Sequence, residues 1–511
     1  MFFIFLCLVV FTVNSELLVP YLVITRTRGD TNIPGRRLSA ATSNVQEALI
    51  EETNKFAQLN SRRLQTGELE SFTPFASDIS PSFTVVPGFS ALLSRNAILF
   101  LNTLGDVNTS VVLYFDSLVY SGPAEQEPRV QSAQEGADVN EMTWGLDRID
   151  QESLPLDLKY MRAGNGAGVD IYIADSGLRL THSEFATQGD LRARSANFVN
   201  NDAMPRAMGI GEDVNDCAGH GTHLSSTIAG RTMGVAPGSR IIPVRIYGCT
   251  ASGPVSAVLR GFDFILSSMK SRPNVPAVIN LSFAAKRLDV LDEAVRSLAN
   301  AGGVVVAAAG NSFKNACTTS PAAERSCIAV GATTKIDEWS SFSDYGECIF
   351  LSAPGSEILG ASNDGDNDSL YMSGTSMAAP HVSGVIAIIL QTQLDAGRRL
   401  SVSQTRQILH CISSDITWTN PTVVAGNTAT TFLFMPPRGI PTHCLPENLP
   451  LWATPPSPSP SNTLPSKSST SSVTFKDGFF SVSSGAKRSS PSSYVGLAVA
   501  VGLTLLLLRR I

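Results

Sequence analysis

Four polar residues stand where apolar runs end. Asp175 closes IYIAD, His220 lies in DCAGHGTH ahead of a helix-like STIAG stretch, Asn311 follows VVVAAAG, and Ser376 sits in SGTSMAAPHVSG before VIAIIL. Singly, each has an ordinary explanation. Serine caps helices because its oxygen satisfies orphan N–H groups, strand-end Asp and Asn after Gly are turn residues, and an HGTH pair is often structural or metal-binding. Together they hold the parts of nucleophilic acyl transfer: a hydroxyl, a base to take its proton, and a carboxylate to fix the base's tautomer. A donor for the oxyanion completes the set. All four fall at strand–helix junctions, in the order Asp, His, Ser, and their neighbours are small enough to let a ligand backbone approach.

The elements that must position them follow from periodicity. Between about residues 140 and 445, GVDIYIAD, SRIIPVRIY, VPAVINLSF, GGVVVAAAGN and CIAVGATT are apolar runs of strand length. Runs without alternation fit strands covered on both faces. Helical spacing separates them: Val255, Val258, Leu259, Phe262 and Ile265 recur at i, i+3, i+4, and LDVLDEAVRSLANAG is a second such stretch. The expected fold class is therefore α/β, a doubly wound, mostly parallel sheet, with ligands gathered beyond the carboxyl ends of its strands. Upstream, residues 17–125 read as a small α+β unit of ferredoxin-like character. Its strands are YLVITRTR, PSFTVVPGFSA and VVLYFDSLVY, and its helices NVQEALIEETNKFAQL and RNAILFLNTL.

The 511 residues accommodate about three domains. A net charge of −6 without a basic run argues against a nucleic-acid partner. Residues 1–15, MFFIFLCLVVFTVNS, read as a signal peptide, which directs the chain to the secretory pathway. Residues 446–492, rich in Pro, Ser and Thr, cannot bury enough apolar surface to fold and read as a stalk. Residues 493–511 hold VGLAVAVGLTLLLL and a terminal Arg pair, which suits either a GPI signal or a short spanning helix with a basic stop. Either alternative tethers the protein to a membrane at the cell surface. Asn108 and Asn367 are candidate glycosylation sites, whereas Asn280 falls on a buried-type strand.

ADSGL, HGTHLSSTIAG, AAAGNS and GTSMAAPHVSG resemble the signature segments of subtilisin-like serine proteases (peptidase family S8), in the branch that includes proteinase K and aqualysin. The resemblance spans about 140–415. GFSALLS, LNTL and VVLYFDSLVY are similar to the family's inhibitory propeptide, and TWGLDRIDQESLPLD to the start of its mature enzyme. It implies a secreted or surface-tethered endopeptidase acting on proteins or peptides, made as an autoprocessed zymogen and inhibited by its own propeptide. That propeptide covers 16–133, a catalytic domain 134–445, and the processing site falls near Ser132–Ala137. By the same resemblance Asp175, His220 and Ser376 form the triad. The Asn311 amide and the Ser376 N–H bind the oxyanion, and His223 is a packing residue. Ser282, Phe283, Ala284, Ala308, Ala309 and Gly310 line an uncharged substrate cleft, which implies cleavage after apolar residues.

The resemblance also implies disulfides Cys217–Cys249 and Cys317–Cys348. Cys411 and Cys444 bracket the domain's end and suggest a third bridge, which leaves Cys327 as a buried free thiol. Count alone does not fix these pairings. No cofactor is expected for catalysis, and no metal site is assigned. Phe350 occupies the place of a calcium-ligating Asp, and an aromatic ring cannot coordinate a hard cation, so structural calcium is left unlocated. Two further departures stand out. Leu224, Ser225 and Ser226 follow HGTH where small residues are usual, and Ala284 and Ala285 replace glycines beside the cleft. The first motivates a rival expectation, a catalytically silent binding protein that keeps the fold. The acidic loop GASNDGDNDS (360–369) reads as a solvated hairpin.

Overall fold

A strand whose every residue is apolar must be covered on both faces, and the central strands here are. The computed structural model describes residues 19–27, 35–65, 76–77, 79–101, 104, 109–120, 143–199, 207–211 and 213–446, all within the compact unit Met1–Ala453. In the strand Asp170–Asp175, Ile171 and Ile173 enter one apolar core, and Tyr172 and Ala174 enter the other. Val304 and Val306 likewise oppose Val305 and Ala307 in the strand Val304–Ala308. This is the period of two expected of a strand, hidden in the sequence because both sets are apolar.

The sheet has ten strands. In spatial order they are Ser414–Asp415, Thr431–Phe432, Leu351–Pro354, Ile328–Thr333, Val304–Ala308, Ala277–Leu281, Asp170–Asp175, Arg240–Arg245, Ala196–Val199 and Ala207–Gly211. Only the first and last pairings are antiparallel. The chain enters at Asp170–Asp175, fills one side, then returns to build the other from Ala277–Leu281 outward. The direction thus reverses between these two neighbouring, parallel strands, where a crevice opens at the carboxyl ends. Helices His220–Ala229, Thr375–Asp395 and Val402–Ile412 contribute to one core, and Val255–Ser271 and Asp289–Asn300 to the other. The α/β, doubly wound expectation is met.

The N-terminal unit is a four-stranded antiparallel sheet ordered Ala76–Ser77, Gly88–Leu93, Val19–Thr27, Thr109–Phe115, with helices Gly35–Gln65 and Arg95–Leu101. Two expectations need correction. PSFTVV is not a strand but the approach to a turn before Gly88–Leu93. VVLYFDSLVY is two strands, because Asp116 and Ser117 leave the sheet to bind helix Val255–Ser271: Asp116 accepts from the Ser256 N–H at 2.8 Å and the Ser117 carbonyl from the Val255 N–H at 3.0 Å. The following strand, Leu118–Tyr120, then pairs antiparallel with Ser252–Pro254. The expected signal peptide, processing site, membrane anchor, all but the first residue of the stalk, and Asn108 lie outside the described residues.

Candidate active site

Asp175 ends its strand fully buried, with its carbonyl taken by the Ile246 and Tyr247 N–H groups. Its carboxylate faces the imidazole of His220: Nδ1 lies 2.8 Å from Oδ1 and 3.0 Å from Oδ2. His220 opens the helix His220–Ala229, whose backbone comes so close to the loop after Asp175 that a Cβ on Gly221 would stand 2.3 Å from the Gly177 carbonyl. Only glycine allows that approach. The helix N-terminus has no cap from Gly219. Asp216 supplies it, Oδ1 accepting from the Ala218 and Gly219 N–H groups and Oδ2 from the Thr222 N–H and hydroxyl. Burial works to lower the His220 imidazole, but the Asp175 charge and hydrogen bond outweigh it, with Asp216 adding, and leave it raised. Its Nε2 is buried and without a hydrogen-bond partner.

Ser376 is the second residue of helix Thr375–Asp395, so its N–H has no intrahelical acceptor. The residue is buried, at 2 %. Its hydroxyl donates to the Ser282 carbonyl at 3.1 Å, and the Ser282 hydroxyl donates back to the Ser376 carbonyl at 3.1 Å. The second bond has a cause in the sequence. Pro380 lies inside the helix four residues on and has no N–H to give to Ser376. A buried chain of hydrogen bonds continues from Ser282 through Asn280 to Ser383, and Asn280 is fully buried. Asn367 is exposed.

Asn311 follows the strand Val304–Ala308 and reaches the same helix. Its Oδ1 accepts from the Thr375 N–H and hydroxyl, both at 2.8 Å. That fixes the amide's orientation and turns Nδ2 away from Thr375, toward the side on which Gly374 stands. Asp175 and His220 are thus joined directly, as are Asn311 with Thr375 and Ser376 with Ser282. Ser376 and His220 are not hydrogen-bonded to each other here. Apo catalytic bonds are commonly long and tighten with substrate.

The expected cleft residues are all buried or half-buried. Phe283 does not face the cleft. It stacks edge-on against Tyr247, 5.9 Å between centroids, within the core beneath helix Val255–Ser271. The next residue, Ala284, bridges to Tyr120 of the N-terminal unit. Leu224, Ser225 and Ser226 are accommodated: Leu224 is fully buried, the Ser225 hydroxyl donates to Gly221, and the Ser226 hydroxyl donates to His223 and accepts from the Ala361 N–H. His223 is buried against the Ile358 carbonyl, and burial lowers it to about 3. The acidic loop is the expected hairpin, joining the antiparallel strands Ile358–Ala361 and Ser369–Met372 with Asp364, Asp366 and Asp368 exposed, and two contacts tie it down. Asp366 pairs with Arg179 at 2.7 Å, and Asn363 donates to the Asp216 carbonyl.

Disulfides join Cys217 to Cys249, Cys317 to Cys348 and Cys411 to Cys444. Cys327 is a buried thiol pushed up to about 12 by burial. Arg406 lies 4.5 Å over the ring of Phe350, so a guanidinium takes the place at which a cation ligand was sought.

One cluster escaped the sequence reading. Asp147 Oδ1, Asp150 Oδ1 and Gln151 Oε1 are buried acceptors with no donor. Burial raises Asp150 to about 6, with the charges of Asp147 and Asp157 adding. The other oxygen of each aspartate is satisfied by a backbone donor, the Leu158 N–H at 3.0 Å for Asp147 and the Met161 N–H at 2.6 Å for Asp150, so one acceptor per side chain is left over, and an all-oxygen set suits a hard cation.

Residues 166–420 match the subtilase family, peptidase S8. The chain is similar to an extracellular serine proteinase of Thermus sp. strain Rt41A, 43 % identical over 52 % of this chain and 60 % of that protein. It is also similar to alkaline serine exoprotease A of Vibrio alginolyticus, 42 % identical over 50 % of this chain and 45 % of the other. The match thus spans about half the length of these relatives. A cold-adapted subtilisin-like serine proteinase of known crystal structure is 37 % identical, covering 57 % of this chain and 97 % of that one at a TM-score of 0.49.

Proposed function

This chain belongs to the subtilase family of serine proteases, and from that premise we propose that it is a serine endopeptidase, made as a zymogen that processes itself and acts outside the cell or at its surface. Ser376 is the nucleophile and His220 its base. Nε2 takes the hydroxyl proton while Asp175 holds Nδ1–H. The tetrahedral anion is bound by the Asn311 amide and the Ser376 N–H, at the positive end of a helix dipole. His220 then protonates the leaving amine, and water repeats the sequence on the acyl-enzyme. The observation that carries this reading is the division of labour on one buried ring: Nδ1 is held at 2.8 Å by Asp175, while Nε2 is left without a partner.

Inhibition by residues 16–133 is supported by the pairing of Leu118–Tyr120 with Ser252–Pro254 and of Tyr120 with Ala284, as a substrate strand would pair. Substrates are proteins or peptides held in an uncharged cleft. The related Thermus protein's name, an extracellular serine proteinase, supports a secreted form. Attachment to a membrane through residues 493–511 and glycosylation at Asn367 complete the proposal. Catalysis draws only on the chain's own groups. A structural calcium ion is assigned to Asp147, Asp150 and Gln151, where it would neutralise charge without entering the reaction.

The test compares the wild type with Ser376→Ala. The wild type is expected to release its propeptide near residue 134 and to be labelled on serine by a fluorophosphonate, and the variant to do neither. A folded wild type that stays unprocessed and unlabelled refutes the protease.

A further inference from the structure

Asn311 is held on one side by Thr375, and its backbone neighbours on both sides are held by a single residue outside the triad. Asp344 is fully buried. Its N–H donates to the Gly310 carbonyl at 2.9 Å. Its Oδ1 accepts from the Ser312 N–H at 2.9 Å and the Lys314 N–H at 3.0 Å. Residue 311 is thus bracketed from 310 and 312 by one aspartate. The second oxygen, Oδ2, has no hydrogen-bond partner and lies 2.3 Å from where a Cβ on Gly310 would sit. Gly310, at φ +118°, is also in the left-handed region that favours glycine. The carboxylate therefore lies directly against the turn that delivers the amide.

Resting on the protease reading above, we propose that Asp344 is the positioning residue of the oxyanion hole: through Gly310 and Ser312 it sets where the Asn311 amide points. The side chain's share is separable from the fold's. Beyond Ser312 the loop is also fastened by backbone bonds that do not involve the carboxylate: Phe313 N–H to the Phe342 carbonyl, Tyr345 N–H to the Lys314 carbonyl, and Ala316 N–H to the Tyr345 carbonyl. Removing the carboxylate frees the Ser312 and Lys314 N–H groups and leaves those three bonds in place. The turn stays attached, but residue 311 loses the clamp on its C-terminal side. A donor aimed at the transition state, and not at bound substrate, acts on kcat rather than KM.

The experiment measures kcat and KM per titrated active site in the processed full-length enzyme, for Asp344→Ala, Asp344→Asn, Asn311→Ala and the Asp344→Ala/Asn311→Ala pair, with melting temperatures alongside. Asp344→Ala is expected to lower kcat about ten-fold or more with KM within about two-fold, inside the limit of roughly 10²–10³ known for an oxyanion donor in subtilisin itself. Asp344→Asn keeps the acceptor at the Oδ1 position and is expected to recover most of kcat. In the Asn311→Ala background Asp344→Ala is expected to change kcat by less than about two-fold, because it acts through the residue already removed. Independent, multiplicative losses in the pair overturn the proposal, as does a loss confined to KM or no effect of Asp344→Ala in an active enzyme. Should the alanine variant fail to accumulate, Asp344→Ser, with a shorter acceptor, is read by the same ratios. A wild type without turnover overturns the protease reading itself, and this inference with it.

Discussion

Ser376 and Ser282 exchange hydrogen bonds, hydroxyl to carbonyl in each direction, so the proposed nucleophile is held by one of the expected cleft residues before any substrate arrives. Ser282→Ala removes a donor to a buried carbonyl and the acceptor for Asn280. It is expected to destabilise the protein by about 1–3 kcal/mol, the usual cost of buried groups left unpaired, read as a lowered urea midpoint. Asp216 acts on the base in a different way. Its charge helps hold the His220 imidazole raised. A base must be neutral to accept the hydroxyl proton, so activity is lost as pH falls through that raised value. Asp216→Asn withdraws a charge favouring the imidazolium, and the acid limb of kcat/KM is expected to move to lower pH. A limb that stays in place refutes the electrostatic role. Asp175, His220, Ser376 and Asn311 stand out in the sequence because short, local motifs carry them. Asp216 and Asp344 do not, since their meaning lies in which distant N–H groups they meet, and nothing in FSDYG or NDCAG states that.

Elements were read well where one period dominated and poorly where a single residue overrode it. Helix Val255–Ser271 buries each of the five apolar positions picked out by spacing. Pro380 lacks the N–H a helix interior uses, yet the helix runs through it because the Ser282 hydroxyl replaces that donor at the Ser376 carbonyl. Asp116 likewise cuts one apolar run into two strands by binding elsewhere. The segment from helix Trp144–Ile149 to Leu158 is the case that the sequence left blank: LDRIDQ looks like an ordinary short helix until one oxygen each of Asp147, Asp150 and Gln151 is found buried without a donor. Asp150, raised to about 6, contributes stability that is fully present below the ordinary carboxylate value and lost as pH rises through about 6. A bound cation needs the deprotonated form and compensates in that same window. Calcium chelation is therefore expected to lower the melting temperature more at pH 8 than at pH 5. Equal shifts at both would place the ion elsewhere.

At the scale of the molecule, several contacts among the described residues hold the N-terminal unit against the rest of the fold. Asp116 meets the start of helix Val255–Ser271, Asp263 on that helix accepts from the Thr84 N–H and hydroxyl and the Val85 N–H, all at 2.7 Å, and Leu118–Tyr120 lies along Ser252–Pro254. Val119 is fully buried there while Tyr120 is 58 % exposed. Asp263 lies outside the site, so Asp263→Ala is expected to leave kcat on a small peptide unchanged. Hydrogen bonds to a charged group contribute about 1.5–3 kcal/mol each, so its loss is expected to shorten the lag between processing and full activity roughly ten-fold or more. An unaltered lag would show that the strand pairing alone holds the inhibitor.

The bridge between Cys411 and Cys444 has a consequence for what a cut can do. Everything from Ser413 to His443 is a loop closed by sulfur, so a protease that nicked it would sever the peptide and yet separate nothing. Such a molecule would run as one band on a gel until a reductant was added, then fall into two. Whatever tugs on the chain past residue 444 pulls on the helix Val402–Ile412 through that crosslink, and the short edge strands between them are spared the strain.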